Sequence, residues 1–119
     1  MKLERVGAEN LKLAPYRELL VSSYSKYLFE EFNTEFLHVY TVLDPDPIAL
    51  LVAEFIPELQ RVYLQSIKTD RKEAAHLLLD ALEQDIQNQK MDSLTFSYEE
   101  EELIKTLFDF QQDKVLWRL

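Results

Sequence analysis

The sequence has no cysteine and a single glycine, Gly7, among its 119 residues. Without cysteine the chain can form neither a disulfide framework nor a thiolate zinc site, and nothing indicates an oxidising compartment. The scarcity of glycine bears on function, because close approach of a backbone to a bound phosphate generally uses glycine. The composition therefore argues against a glycine-rich phosphate loop.

Long hydrophobic runs and an excess of basic residues are also absent. No window approaches the ~20 apolar residues that a membrane helix needs, and residues 1–10 have no apolar run behind their charges. With 13 basic and 22 acidic residues, the formal net charge is −9. This charge repels nucleic acid, anionic membranes and polyphosphates at long range. We expect a cytoplasmic protein that binds neither nucleic acid nor membrane.

The chain does contain enough apolar sequence for one domain. Hydrophobic residues make up 47% of the sequence, and the length suits one domain with its own core rather than two. We predict a single domain over residues 1–119, without an internal repeat or an interdomain linker.

The spacing of apolar residues predicts alternating strands and helices. Steps of three or four residues are typical of amphipathic helices, whereas β-branched and aromatic runs favour strands. The predicted strands are residues 1–6, 36–43, 48–56, 61–67, 93–98 and 114–119, and the predicted helices are 13–32, 71–90 and 100–110. The order is β-α-β-β-β-α-β-α-β, with an antiparallel hairpin over residues 36–56.

The junction between strand 61–67 and helix 71–90 is the stretch around which the chain is organised. The first amides of a helix have no partner inside it and carry a partial positive charge, so such junctions often hold a phosphate. Asp70 and Glu73 have the spacing of a capping box, in which their carboxylates accept from those same amides. We favour this cap over a phosphate cradle without glycine.

The same helix has one apolar face and one polar face. Its spacing predicts that His76 is exposed and that the opposite face packs on the sheet. The residues predicted to be buried are Ala74, Leu78, Ala81, Leu82 and Ile86.

No group of side chains predicts a metal site. His38 lies in a strand with no nearby cysteine or second histidine. The acidic run 99–102 precedes a helix, where acidic residues are favoured, and lacks the glycine of a calcium loop. Asp44 and Asp46 alternate with prolines, as turn residues do. We expect no bound metal.

The element order resembles the GNAT superfamily of acyl-CoA-dependent N-acyltransferases. The resemblance covers nearly the whole chain in element order, and in residue detail it covers about 62–110, including LLLDALEQ (77–84) and LFDF (107–110). It implies an α+β fold, an α/β sandwich with a mixed, mostly antiparallel sheet flanked by helices. Asp109 replaces a family glycine, and Lys105 lies where a general-acid tyrosine often sits. The family usually has one further strand after this point, and we expect the protein to lack it.

The resemblance also implies where acyl-CoA binds. In the family, the strand matching 61–67 contacts the pantetheine arm, and the next turn wraps the pyrophosphate with the pattern Q/R-x-x-G-x-G/A. The corresponding residues here are Ile67, Arg71, Lys72, Ala74 and Ala75. Arg71 or Lys72 supplies the basic position, but no register preserves both glycines. The candidates for the family's acidic general base are Glu54 and Glu58.

Three functions remain open at this point. We favour a GNAT-like domain with a degenerate acyl-CoA site, a non-catalytic binding or regulatory module without a cofactor, whose partner is a protein or a small molecule. The alternative is an acetyl-CoA-dependent N-acetyltransferase with a glycine-free phosphate loop. The third is an assembly subunit that homodimerises through the C-terminal edge strand 114–119, where Val115 and Trp117 make an exposed edge adhesive.

Overall fold

A computed structural model describes residues 1–20 and 36–95. Within these ranges the chain forms five strands and two α-helices, together with single 3-10 turns at Ala8–Lys12 and Pro57–Leu59. The strands are β1 Lys2–Val6, β2 Leu37–Leu43, β3 Pro47–Ile56, β4 Arg61–Lys68 and β5 Ser93–Thr95, and the helices are α1 Ala14–Arg17 and α2 Lys72–Asn88. None of the helices in the described ranges is long and apolar enough to cross a membrane.

The five strands form one sheet in the order β1-β2-β3-β4-β5. The pairings from β1 to β4 are antiparallel, and β4 pairs with β5 in parallel. A parallel pair needs a crossover connection, and α2 supplies it. The prediction of an α+β fold with a mixed, mostly antiparallel sheet is therefore confirmed.

One face of the sheet packs against α2. All five α2 residues predicted to be buried are at most 4% exposed, because they meet the alternate residues of β2 and β3 that point to the same side. The strand residues in this core include Tyr40, Val42, Ala49, Leu51, Ala53 and Phe55. This packing holds the N-terminal end of α2 next to the C-terminal end of β4.

The opposite face is covered by the N-terminal segment. Ala8, Leu11 and Leu20 pack on residues of β2 and β3 that alternate with those of the α2 core, namely Val39, Leu50 and Val52. The sheet therefore has an apolar layer on both faces.

An irregularity in β4 changes which residues face each layer. Val52 lies opposite Ser66 while its neighbour Ala53 lies opposite Leu64, so Gln65 is an extra residue in β4. Such a β-bulge shifts the alternation of the bulged strand by one residue. Gln65 and Ser66 consequently both lie on the face opposite α2.

The predicted helix 13–32 is confirmed at its start, where α1 covers Ala14–Arg17, but it does not continue through residues 18–20. α1 ends at Arg17, and the amides of Leu19 and Leu20 then donate to the carbonyls three residues before them. This tight turn carries Leu20 onto the sheet beside Leu11, whereas Leu13 stays 52% exposed. Helical spacing alone could not distinguish this turn from a further helical turn.

Several predicted elements lie partly or wholly outside the described residues. These are the rest of helix 13–32, the end of strand 93–98, helix 100–110 and strand 114–119. The predicted dimer edge at Val115 and Trp117 belongs to this group and stays a prediction.

Candidate functional site

The link between β4 and α2 is a turn stabilised by a buried threonine. The Thr69 hydroxyl accepts a hydrogen bond from the Arg71 amide at 3.1 Å and donates one to the Arg71 carbonyl at 3.1 Å. Thr69 is only 7% exposed, whereas Asp70 is exposed. The turn therefore depends on the hydroxyl and leaves the Asp70 side chain at the surface.

The predicted capping box is wrong. The N-cap of α2 is Arg71, one residue later than predicted, and no side chain caps the helix. The physical reason is that the Arg71 amide donates a hydrogen bond to the Thr69 hydroxyl, so the helix begins after Arg71 rather than after Asp70. Glu73 remains as an exposed acidic residue in the first turn.

The first amides of α2 precede the first helical hydrogen bond. That bond runs from the Ala75 amide to the Arg71 carbonyl at 3.0 Å. The amides of Lys72, Glu73 and Ala74 come before it, where a helix has no internal acceptor. The partial positive charge of this helix end is consequently not neutralised by a side-chain cap.

An ion pair joins this helix end to the β2–β3 turn. Arg71 Nη1 lies 2.8 Å from Asp44 Oδ2, and the two side chains are 46% and 40% exposed. The basic side chain that the resemblance places at the phosphate-binding position is thus bonded to a carboxylate of the protein. Any anion that used the Arg71 guanidinium would have to compete with Asp44.

The other residues predicted to contact acyl-CoA differ in their solvent exposure. Ile67, Ala74 and Ala75 are at most 1% exposed and belong to the sheet core or to the buried face of α2. Lys72 is exposed. A ligand at this junction could therefore reach the side chains of Arg71 and Lys72, but only the backbone of the three buried residues.

The two candidate bases lie in different places. Glu54 is on β3 directly opposite Tyr63, half-buried, and its Oε1 accepts a hydrogen bond from Gln65 Nε2 at 3.2 Å. Glu58 is exposed in the 3-10 turn before β4. Since β4 has eight residues and a strand rises about 3.3 Å per residue, Glu58 and the α2 N-terminus are roughly 25 Å apart.

Sequence reasoning missed the role of Gln65. The bulge in β4 turns this side chain toward the Glu54 carboxylate across the β3–β4 pair. No periodicity reveals a bulge of this kind, because Gln65 fits the alternation of β4 up to that point. The structure thus brings Glu54 together with Gln65 and leaves Glu58 at the far end of the strand.

A second polar cluster lies near the other end of α2. Asp85 Oδ2 accepts a hydrogen bond from the Tyr40 hydroxyl at 2.6 Å and one from Arg5 Nε at 3.1 Å, and its Oδ1 accepts one from Arg5 Nη2 at 3.0 Å. Tyr40 is fully buried and the Asp85 side chain is 15% exposed. Sequence reasoning missed this cluster because 80 residues separate Arg5 from Asp85.

Burial, hydrogen bonds and neighbouring charges shift the pKa values of Asp85 and Tyr40. Burial alone raises the pKa of the Asp85 carboxyl, but the hydrogen bonds from Arg5 and Tyr40 outweigh it and hold that pKa below its usual range. Burial and the hydrogen bond to Asp85 raise the pKa of Tyr40 far above its usual range.

His38 lies beside this cluster on β2. Its ring stacks on Phe55 with centroids 4.0 Å apart. Burial lowers the pKa of His38, with a smaller contribution from Arg5, and Asp85 opposes the change. Within residues 1–20 and 36–95, no three histidine or acidic side chains are grouped so that they could hold a metal ion.

Comparison with known structures identifies the fold. The chain is similar to a solved structure described as a probable acetyltransferase, with a TM-score of 0.64 and 16% sequence identity over 100% of this chain and 96% of the other. No protein-family model matches the chain, and no curated protein matches it. The chain therefore has a GNAT-like fold, and at 16% identity the likeness says nothing further about activity.

Proposed function

We propose that this GNAT-like domain is a non-catalytic binding or regulatory module of the cytoplasm that does not use acyl-CoA. The observation that carries the proposal is the ion pair between Arg71 and Asp44 in a junction without glycine. Its partner is a protein or a small molecule that does not need a phosphate site.

The junction is poorly suited to a pyrophosphate for three reasons. Each residue from 68 to 75 carries a side chain, which limits approach of a ligand to the backbone. The Arg71 guanidinium is already bonded to Asp44. The net charge of −9 repels polyphosphates at long range.

The missing backbone contacts account for most of the expected loss of affinity, because the exposed ion pair of Arg71 with Asp44 is worth less than about 1 kcal/mol. Charge-assisted hydrogen bonds are worth about 1.5 to 3 kcal/mol each, and each 1.4 kcal/mol changes a dissociation constant about tenfold. Losing two or three such bonds moves a micromolar ligand into the millimolar range.

The open end of α2 supports a second candidate, an acetyl-CoA-dependent N-acetyltransferase. Without a side-chain cap, the amides of Lys72, Glu73 and Ala74 could donate to a phosphate. In this candidate Glu54, held by Gln65, takes the proton from an acceptor amine. The amine nitrogen then bonds to the thioester carbonyl carbon as the carbon–sulfur bond breaks. CoA leaves as a thiolate that takes up a proton from solvent, to which Glu54 releases its own.

Isothermal titration with acetyl-CoA separates the two candidates. We expect no saturable heat below millimolar concentration for the unmodified chain. The companion variant Asp44→Asn releases Arg71, and Asp46→Asn is its matched control, because it removes the same charge from the same turn. Asp70→Asn plus Glu73→Gln tests the exposed carboxylates at the helix end.

The affinities of the unmodified chain and the variants for acetyl-CoA distinguish the two candidates. Binding that strengthens in Asp44→Asn but not in Asp46→Asn supports closure of the site by the ion pair. Tight, saturable binding to the unmodified chain contradicts the proposal and favours the acetyltransferase.

Homodimerisation through residues 114–119 is part of the same proposal, as one way in which a non-catalytic module binds a partner. Light scattering across a concentration series tests it. A monomer at high concentration would remove it without affecting the acyl-CoA result.

A further inference from the structure

The polar cluster of Arg5, Tyr40 and Asp85 joins three elements that are distant in sequence. Arg5 is on β1, Tyr40 lies directly opposite it on β2, and Asp85 is in the last turns of α2. Arg5 also lies across the Tyr40 ring, with its guanidinium carbon 5.7 Å from the ring centroid. The cluster thus connects the helix to the first strand through the second.

Among the residues that the structure describes, the other side-chain contacts of strand β1 are those of Leu3 and Val6 with the two cores. It is five residues long and ends the described sheet, with a partner strand on one side only. Leu3 and Val6 are partly buried against the two cores, whereas the other three residues are exposed. An edge strand of this kind opens more readily than the strands inside the sheet.

We propose that the Arg5–Asp85–Tyr40 cluster is a latch through which α2 holds β1 on the sheet, and that breaking it releases β1 while β2, β3, β4 and α2 stay folded. Release of β1 would expose the hydrogen-bonding edge of β2. The latch is a conformational device separate from the β4–α2 junction.

The latch depends on charge, because its central acceptor is a carboxylate. Within residues 1–20 and 36–95, the titratable groups that face Asp85 are Arg5 from β1 and both Tyr40 and His38 from β2. Strand β3 contributes apolar side chains such as Phe55 to this face. A neutral Asp85 would lose the ion pair with Arg5 and keep at most neutral hydrogen bonds, which are about half as strong.

Hydrogen exchange of the full chain, read by mass spectrometry of peptides, tests the latch. Arg5→Gln removes the ion pair. Lys2→Gln is its matched control, since it removes the same charge from the exposed face of the same strand. Tyr40→Phe removes one of the three hydrogen bonds and keeps the ion pair.

We expect Arg5→Gln to speed exchange of the β1 amides by about tenfold and to change exchange in β3 less than twofold. Tyr40→Phe should give a smaller acceleration in the same segment, and Lys2→Gln none. If Arg5→Gln does not fold, Tyr40→Phe carries the test. Equal acceleration in β1 and β3, or no acceleration in β1, would overturn the proposal.

Discussion

The two ends of α2 are held in different ways. Near the C-terminal end, Asp85 accepts three hydrogen bonds from two strands and its side chain is 15% exposed. At the N-terminal end, Arg71 forms one ion pair in which both partners are 40% exposed or more, and no side chain caps the helix. Exposed ion pairs contribute little to stability, whereas partly buried charge-assisted bonds contribute more.

The exposed ion pair at the N-terminal end of α2 therefore contributes less to the stability of the fold than the contacts of Asp85 do. The buried face of α2 fixes the helix to the sheet along its length, so the exposed residues at its N-terminal end can vary without loss of the fold. The fold can therefore persist while the exposed residues at the β4–α2 junction change.

The comparison assumes that α2 is well packed between its two ends. Leu78→Ala tests this assumption and should have the largest effect on stability. Leu78 is fully buried in the α2 core. Removing it should lower the free energy of unfolding by about 2 to 5 kcal/mol, measured by chemical denaturation. Gln84→Ala on the exposed side of α2 is the control and should stay within about 0.5 kcal/mol. A small effect at Leu78 would mean that α2 does not depend on this core.

Asp85→Asn tests how much the contacts at the C-terminal end of α2 contribute to stability. We expect it to lower the free energy of unfolding by about 1 to 2 kcal/mol at neutral pH, because it removes the ion pair with Arg5. The effect is not larger, because the Arg5 side chain is 50% exposed and solvent screens part of the interaction. Since the folded-state pKa of Asp85 is depressed, its stabilisation is complete above the ordinary carboxyl pKa and is lost as pH falls through the lower, folded value.

Denaturation of both proteins across a pH series measures this contribution. The difference between the unmodified chain and Asp85→Asn should shrink as the solution becomes strongly acidic. A difference that is constant with pH would show that the charge of Asp85 is not what stabilises the helix end.

His38→Phe tests a smaller pH effect beside the same end. Because burial lowers the folded-state pKa of His38, the unfolded chain binds its proton first as pH falls below about 6.5. The unmodified chain should therefore lose stability as pH falls from 6.5 toward the folded-state pKa, with no further loss below it. His38→Phe keeps an aromatic ring on Phe55 and should lack this loss. An unchanged pH profile would exclude His38 as its source.

Asp44→Asn should have the smallest effect on stability. Its ion pair with Arg71 is exposed, so we expect a change of less than about 1 kcal/mol in the free energy of unfolding. Asp46→Asn provides the baseline for removing a charge from this turn. If Asp44→Asn lowered the free energy of unfolding as much as Asp85→Asn does, the two ends of α2 would contribute equally to stability, which would contradict the comparison.

The apolar periodicity of α2 and the composition of the strands predict these elements and the buried face of α2, and the family resemblance implies the mixed, mostly antiparallel sheet. The same periodicity extended α1 too far, because Leu20 has helical spacing but reaches the sheet through a turn. The cap was misplaced because Thr69, which bonds the Arg71 amide, precedes the predicted cap by one residue. The contacts of Asp44 with Arg71, Gln65 with Glu54, and Arg5 with Asp85 depend on the folded arrangement of distant segments, which no local pattern encodes.

The most direct test of the proposed function is an NMR titration of the chain with acetyl-CoA, observing the amides of Lys72, Glu73 and Ala74. These amides are the donors that a pyrophosphate at the α2 N-terminus would use. If the domain does not use acyl-CoA, their resonances should not shift saturably below millimolar ligand. Saturable shifts of all three amides at micromolar acetyl-CoA would contradict the account.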